Sequence, residues 1–315
     1  MPQFMMLIGL PGSGKSTYAR DFIASHKGWV HLSSDQISQS HFASADHIDS
    51  QNVFAEMYQQ TAAALEAGKN VIYDATNLAS KRRRSLLNRL KNFQVDSEAV
   101  VFLTPYPILK ARNHKRIHQE RVPDEAIERY IRSFQFPRLN EHFDKVTVMF
   151  DPVFSETTNG TIAATEIYQT VRKKEMSFQE VLKIYHTFEE TKPLLELQQV
   201  VQRSYSVLTN LRKNFFEEEE LELLSWVALL HSIGKSYVRK NLPFEKDNFY
   251  GYEHVSMYLS YPILLALRFQ KEFIFNVLLL IDEHVEAQYS KQGKIKRRLG
   301  LENYERLQDF LKAAL

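Results

Sequence analysis

The chain has 315 residues, of which 44% are hydrophobic and 25% charged, and its formal net charge is +2. This length predicts two domains with apolar residues enough for two cores, and the near-balanced charge leaves any basic surface as a local patch. The absence of cysteine excludes disulfides, thiolate metal sites and a cysteine nucleophile, and fits a reducing cytoplasm.

In chain order, an apolar run, Phe4–Ile8, predicts a strand that leads directly into GLPGSGKS, Gly9 to Ser16. This octet satisfies G-x-x-x-x-G-K-[ST] at every fixed position, and an amphipathic pattern over 15–25 supplies the helix the motif requires. Gly9, Gly12 and Gly14 let backbone N–H groups turn inward around phosphate oxygens, at a helix N-terminus that favours anions. Lys15 is placed to reach the β- and γ-phosphates, the Ser16 hydroxyl to ligate Mg²⁺, and Ser13 and Thr17 to complete the nucleotide contacts. A basic leader is missing and the short apolar run enters the loop, so no signal peptide is expected.

Further strands are predicted at Trp29–Leu32, Asn70–Tyr73, Ala99–Leu103 and Val146–Phe150, alternating with helices at about 50–67, 80–92, 107–119 and 124–135. This alternation predicts an α/β domain, a parallel sheet flanked by helices with its ligands at the carboxyl ends of the strands. Asp35, past the second strand in HLSSDQIS, is placed either to accept a proton from an attacking hydroxyl or to cap the next helix. Asp74, closing the third strand in NVIYDATN, is placed to hold a metal ion or to form a capping turn; Thr76 and Asn77 would bind substrate or cap. The segment LKARNHKRIHQER is basic, and Arg112 and Arg116, four apart, are predicted to share a helix face where they would stabilise a migrating phosphoryl group. A solvated charged face is the alternative, weakened by the lack of acids from Lys110 to Gln119.

Residues 7–40, together with VIYDATNLASKRR and with LKARNHKR followed by VPDEAIERYIRSF, resemble the kinase domain of bacteriophage-type polynucleotide 5′-kinases. The resemblance spans roughly 1–150 and implies an ATP- and Mg²⁺-dependent kinase acting on the 5′-hydroxyl of RNA or DNA, in nucleic-acid repair. It assigns ATP and Mg²⁺ to Lys15 and Ser16, the general base to Asp35, and the phosphate clamp to Arg116 with Arg112. One position departs from the family: Ser38 stands where an arginine usually binds the substrate phosphate. Either Lys81 to Arg84, in SKRRRS, takes over that contact, or the acceptor is another kind of hydroxyl. A small-molecule kinase and an NTP-gated adaptor are therefore the alternative expectations.

The β-α pattern stops after Phe150, and Asp151 to Gly160 has a loop composition. The expected division is a first domain over 1–155, a linker over 156–175 and an all-α domain over 176–315. The longest apolar stretch near the C-terminus, around Phe273–Ile281, is too short to span a bilayer. WVALLHSIGKSY, DNFYGYEHVSMYLS and LLLIDEHVE resemble segments of HD phosphohydrolases. The positions that in that family hold a first histidine, the signature aspartate and a glycine-flanked histidine carry Arg203, Ser232 and Tyr252 here, while His231, His254 and His284 remain. The expectation is an HD-like domain without metal and without hydrolase activity. GKIKRRLG, with Lys294, Lys296, Arg297 and Arg298, is a candidate nucleic-acid contact or a solvated turn.

Overall fold

A computed structural model describes residues 1–42, 50–116, 121–150, 161–188, 190–214, 217–239 and 249–314. The chain divides into two units, the first over 1–130 and 134–150, the second over 131–133 and 151–315. The segment 151–160, read as a loop, lies outside the described residues.

The first unit is built on five parallel strands: β1 (Gln3–Gly9), β2 (Trp29–Ser33), β3 (Asn70–Asp74), β4 (Asp96–Leu103) and β5 (Lys145–Phe150). Their order is β2-β3-β1-β4-β5. β1 is central because Phe4 to Ile8 bury both faces of the strand, each at 5% exposure or less. The chain moves to one side of β1 for β2 and β3 and to the other for β4 and β5, so the order reverses at β1. Such a reversal opens a crevice outside the carboxyl ends of the strands. Helix α1 (Lys15–Ser25) follows the loop, α2 (Ser34–Phe42) follows β2, and α3 (Ser50–Glu66) precedes β3. Helices α4 (Ser80–Leu90), α5 (Tyr106–His114) and α6 (Asp124–Ser133) follow. Met5, Leu7, Ile72, Val100 and Phe102 form a core with Ala19 of α1, against which Tyr18, Phe22 and Trp29 pack. The phosphate loop is thereby fixed at both ends.

The second unit is helical: α7 (Thr161–Arg172), α8 (Phe178–Thr187), α9 (Gln198–Lys213), α10 (Glu218–Leu230), α11 (Lys235–Arg239), α12 (Tyr252–Ala266), α13 (Lys271–Tyr289), α14 (Gln292–Leu299) and α15 (Leu301–Ala314). The stretch expected to be a linker therefore carries α7. Ile167 and Val171, four apart, are 7% and 1% exposed, so that helix is docked by its apolar stripe. α8 opens on a capping box: Ser177 Oγ accepts from the Glu180 N–H, and Glu180 accepts from the Ser177 N–H at 2.8 Å. α10 is buried from Glu222 to Leu230. After it, a Cβ on Gly234 would come within 2.4 Å of the Tyr252 carbonyl oxygen and 2.6 Å of the Ser256 nitrogen. Glycine there lets the His231–Gly234 turn close onto the N-terminus of α12. Among the described residues no helix is long and apolar enough to cross a membrane.

Candidate functional site

The loop between β1 and α1 is held open by its glycines. Gly12 and Gly14 have φ of +83° and +92°, and nothing lies within 4 Å of a Cβ built on Gly14. The backbone conformation, not lack of space, requires glycine at Gly14. The loop is braced from neighbouring strands. Gly9 N–H donates to the Thr76 carbonyl at 3.1 Å, and Thr104 Oγ1 donates to the Ser13 carbonyl at 3.4 Å.

Lys15 begins α1 and is only 7% exposed. Its Nζ donates to the Leu10 carbonyl at 2.8 Å and to Ser13 Oγ at 3.4 Å. Burial lowers its pKa from 10.5 to about 8; the Asp74 and Asp35 carboxylates oppose that fall, and the Arg116 guanidinium adds to it. Both acids and Arg116 thus act electrostatically on one ammonium group. Ser16 and Thr17 are exposed at the helix start, where Arg20 Nη2 reaches Thr17 Oγ1 at 3.4 Å.

Asp74 ends β3 beside Leu7 of β1 and Ser33 of β2. It is 3% exposed, and its Oδ2 accepts the His31 Nε2–H at 3.0 Å. Ser16 and Asp74 offer hydroxyl and carboxylate oxygen, and the described residues contain no cluster of three His, Cys, Asp or Glu able to hold a metal alone. A hard, sparse oxygen set of this kind fits Mg²⁺, which keeps waters and shares its ligation with phosphate oxygens.

Asp35 lies in the first turn of α2 and is exposed. The cap is instead Ser33, whose Oγ accepts the Gln36 N–H at 3.5 Å. This removes the capping alternative for Asp35 and leaves its carboxylate exposed, accepting from Ser34 Oγ at 3.4 Å. Ser38 follows one turn later in α2, half-buried.

Arg112 and Arg116 do not share a helix face. α5 stops at His114, and Arg116 lies beyond it in a turn closed by its N–H to the Asn113 carbonyl at 3.1 Å. Arg112 Nη1 nonetheless lies 3.5 Å from the Gly12 carbonyl oxygen, and the Arg116 guanidinium lowers the Lys15 pKa. Residues 117–120 of the basic segment lie outside the described residues. The missing acid is supplied from α6, where Asp124 pairs with Lys110 at 2.9 Å and with His114 at 3.5 Å.

Three features went unread in the sequence. His31 is a polar residue in an apolar strand, a signal that was available. Buried Asn113 bonds the Val122 backbone in both directions, Nδ2 to O at 2.6 Å and N to Oδ1 at 3.0 Å, tying the two ends of the basic segment together. Arg83, proposed for a substrate phosphate, is 1% exposed and committed to the fold. It makes a bidentate pair with Glu141 at 2.7 and 2.8 Å and donates to the carbonyls of Asn77 and Leu78. Lys81, Arg82 and Arg84 remain exposed. Asn77 caps no helix: at φ 49° it donates to the Leu7 carbonyl at 2.7 Å, and the N-cap of α4 is Ala79, which offers no side-chain cap.

In the second unit, His231 Nδ1 donates to the Ala228 carbonyl at 2.9 Å, and His284 Nδ1 to that of Ile281 at 2.6 Å. Their rings meet edge-on at 5.3 Å, and the Tyr252 hydroxyl donates to His284 Nε2 at 2.9 Å. His254 instead pairs with Asp282 at 2.6 Å. In GKIKRRLG, Arg298 is tied to Glu283 and Glu286, and Lys294 to Glu286, so two of its four cations serve packing against α13.

The sheet order and the loop define a P-loop domain. Residues 4–137 match the family described as AAA domain. The chain is 30% identical over 155 residues to the "Putative bifunctional polynucleotide phosphatase/kinase" of Acanthamoeba polyphaga mimivirus, covering 47% of this chain and 33% of that one. It is 27% identical over 157 residues to the L-seryl-tRNA(Sec) kinase of Methanococcus maripaludis, covering 47% of this chain and 58% of that one. Among solved structures, a chain of the Pnkp1/Rnl/Hen1 RNA repair complex is 31% identical, with 42% of this chain and 43% of that chain covered and a TM-score of 0.36. The chain thus spans about a third of the length of its mimiviral relative.

Proposed function

We propose that this protein transfers the γ-phosphate of ATP to the 5′-hydroxyl of an RNA or DNA end. The observation that carries the reading is the phosphate loop itself, with Lys15 buried in it and Arg112 Nη1 3.5 Å from the Gly12 carbonyl oxygen; Asp74, Asp35 and Arg116 act electrostatically on that lysine. Agreement with a named polynucleotide phosphatase/kinase over 155 residues of the chain supports it.

In this reading Gly9 to Thr17 cradle the triphosphate with backbone N–H groups and the α1 N-terminus. Lys15 leaves its Leu10 and Ser13 contacts for the β- and γ-phosphate oxygens. Asp35, exposed and free of a capping duty, takes the proton of the attacking hydroxyl. Arg112 and Arg116 stabilise charge on the migrating group. Ser16 and Asp74 would hold Mg²⁺, which would supply charge neutralisation for the phosphate oxygens, and His31 holds the Asp74 carboxylate at 3.0 Å for that role. The second unit is an HD-like helical domain in which Arg203, Ser232 and Tyr252 stand at ligand positions.

Ser38 favours a second reading, an acceptor hydroxyl that is not a standard strand end. Incubation with γ-labelled ATP and a short 5′-hydroxyl oligonucleotide separates the two. Label on the oligonucleotide supports the first reading; label found only on a small molecule or a charged tRNA supports the second; label on nothing overturns both.

A further inference from the structure

The second unit gathers two imidazoles and two cations, and among the described residues neither cation pairs with a carboxylate. His231, at the end of α10, is 5% exposed. With Nδ1 spent on the Ala228 carbonyl, its Nε2 is a bare acceptor, and it has no hydrogen-bond partner among the described residues. Burial holds this imidazole neutral, since its pKa is pushed well below 6.5; His284, Lys235 and Arg203 act in the same direction. Lys235 opens α11 with its Nζ 4.6 Å from the centre of the Tyr252 ring and 5.5 Å from that of Phe249. Burial and the neighbouring Arg203 lower its pKa to about 8.

Arg203 is exposed on α9, and its Nη2 reaches the Ala314 carbonyl at 3.4 Å. Two carboxylates act on the edge of the cluster, Glu253 on Tyr252 and Asp282 on His284. Both are directed to His254, Asp282 at 2.6 Å and Glu253 at 3.7 Å. Neither Lys235 nor Arg203 forms an ion pair among the described residues. A divalent cation does not fit this donor set. Two like charges stand where it would sit, and the remaining groups are neutral imidazoles and hydroxyls. Adjacent cations that repel each other and lack a counter-charge are stabilised by an anion.

We propose that Arg203, Lys235, His231 and Tyr252 form a binding site for one phosphate group that carries a protonated oxygen. Arg203 and Lys235 donate to the ionised oxygens. The P–O–H proton is donated to His231 Nε2, which has no hydrogen-bond partner among the described residues. The Tyr252 hydroxyl, bonded to His284, closes one wall. Inorganic phosphate at neutral pH has this form, and a terminal phosphomonoester acquires it near pH 6. Sulfate has the same shape and charge but no proton to give.

The test is calorimetric titration of inorganic phosphate into the full chain carrying Lys15→Ala, which removes the P-loop cation. One saturable site is expected. Arg203→Gln, at an exposed position where folding is not at stake, and Lys235→Gln should each weaken binding about tenfold or more, the loss of one charge-assisted hydrogen bond. Sulfate should bind at least tenfold more weakly than phosphate, because it leaves His231 Nε2 unpaired. Absence of a saturable phosphate site, binding indifferent to Arg203→Gln, or sulfate as good as phosphate would each overturn the proposal. So would a stoichiometric divalent metal at His231. At pH 6, displacement of phosphate by a 5′-phosphorylated but not a 5′-hydroxyl oligonucleotide assigns the site to strand ends; no displacement by either assigns it to free phosphate.

Discussion

Nucleotide binding should pull a proton onto Lys15, and the amount is set by its burial. In the free protein the ammonium has a pKa of about 8, against 10.5 for an ordinary lysine. A triphosphate brought into the loop adds negative charge beside Nζ and returns the pKa toward the ordinary value. At pH 8 about half of the free protein carries the proton, and at pH 9 about a tenth, so binding should take up about 0.5 and about 0.9 proton. Phosphate oxygens are fully ionised in this range and contribute nothing. The assay is calorimetric titration of a non-hydrolysable ATP analogue in buffers of different ionisation enthalpy; the slope of apparent enthalpy against buffer enthalpy gives the proton number. Affinity should also fall as pH rises above 8. Proton uptake that is near zero at both pH values, or that survives in Lys15→Met, would refute the argument.

Asp35→Asn should lower transfer by about 10²–10⁴ and leave nucleotide affinity unchanged, because a general base acts on the acceptor; retained transfer would return Asp35 to a passive surface role. Arg112→Ala and Arg116→Ala should each reduce the transfer rate by about 10²–10³ with little change in melting temperature, and Arg116→Lys should recover only part of the loss. Glu141→Ala should lower the unfolding free energy by about 3–5 kcal/mol in urea denaturation, since it strands the buried Arg83 guanidinium. Without ligand, stability should rise between pH 8 and 10.5, because Lys15 and Lys235, both lowered to about 8, shed protons in the folded state that the unfolded chain keeps; a rise about half as steep in Lys15→Met as in the parent would isolate the Lys15 share, and an unchanged rise would refute it.

The strands and the loop were legible because a buried parallel sheet writes itself as continuous apolar runs. Phe4–Ile8, read from hydrophobicity, lies inside the observed Gln3–Gly9, and the fixed positions of the phosphate loop leave little latitude. Helix α2 was harder to read, since SDQISQSHF has a weak apolar stripe and begins at the last residue pair of a strand turn. The fate of charged residues was the least legible. Arg82, Arg83 and Arg84 are adjacent and chemically identical, yet only Arg83 projects inward, where Glu141, distant in sequence, meets it. The same holds for Asp74, whose partner His31 is fixed by strand order, and for Asp124, which neutralises a basic stretch from the next helix. Local pattern gives periodicity; long-range pairing decides which polar groups remain for chemistry.

Transfer to a strand's 5′ end is tested by locating the transferred phosphate. A 5′-hydroxyl RNA and its DNA counterpart are incubated with γ-labelled ATP and Mg²⁺, and the products are digested to mononucleotides. The account predicts label only in the 5′-phosphate of the first nucleotide, and none with Lys15→Ala. Label at any other position, or unlabelled strands from an active enzyme that hydrolyses ATP, would contradict it.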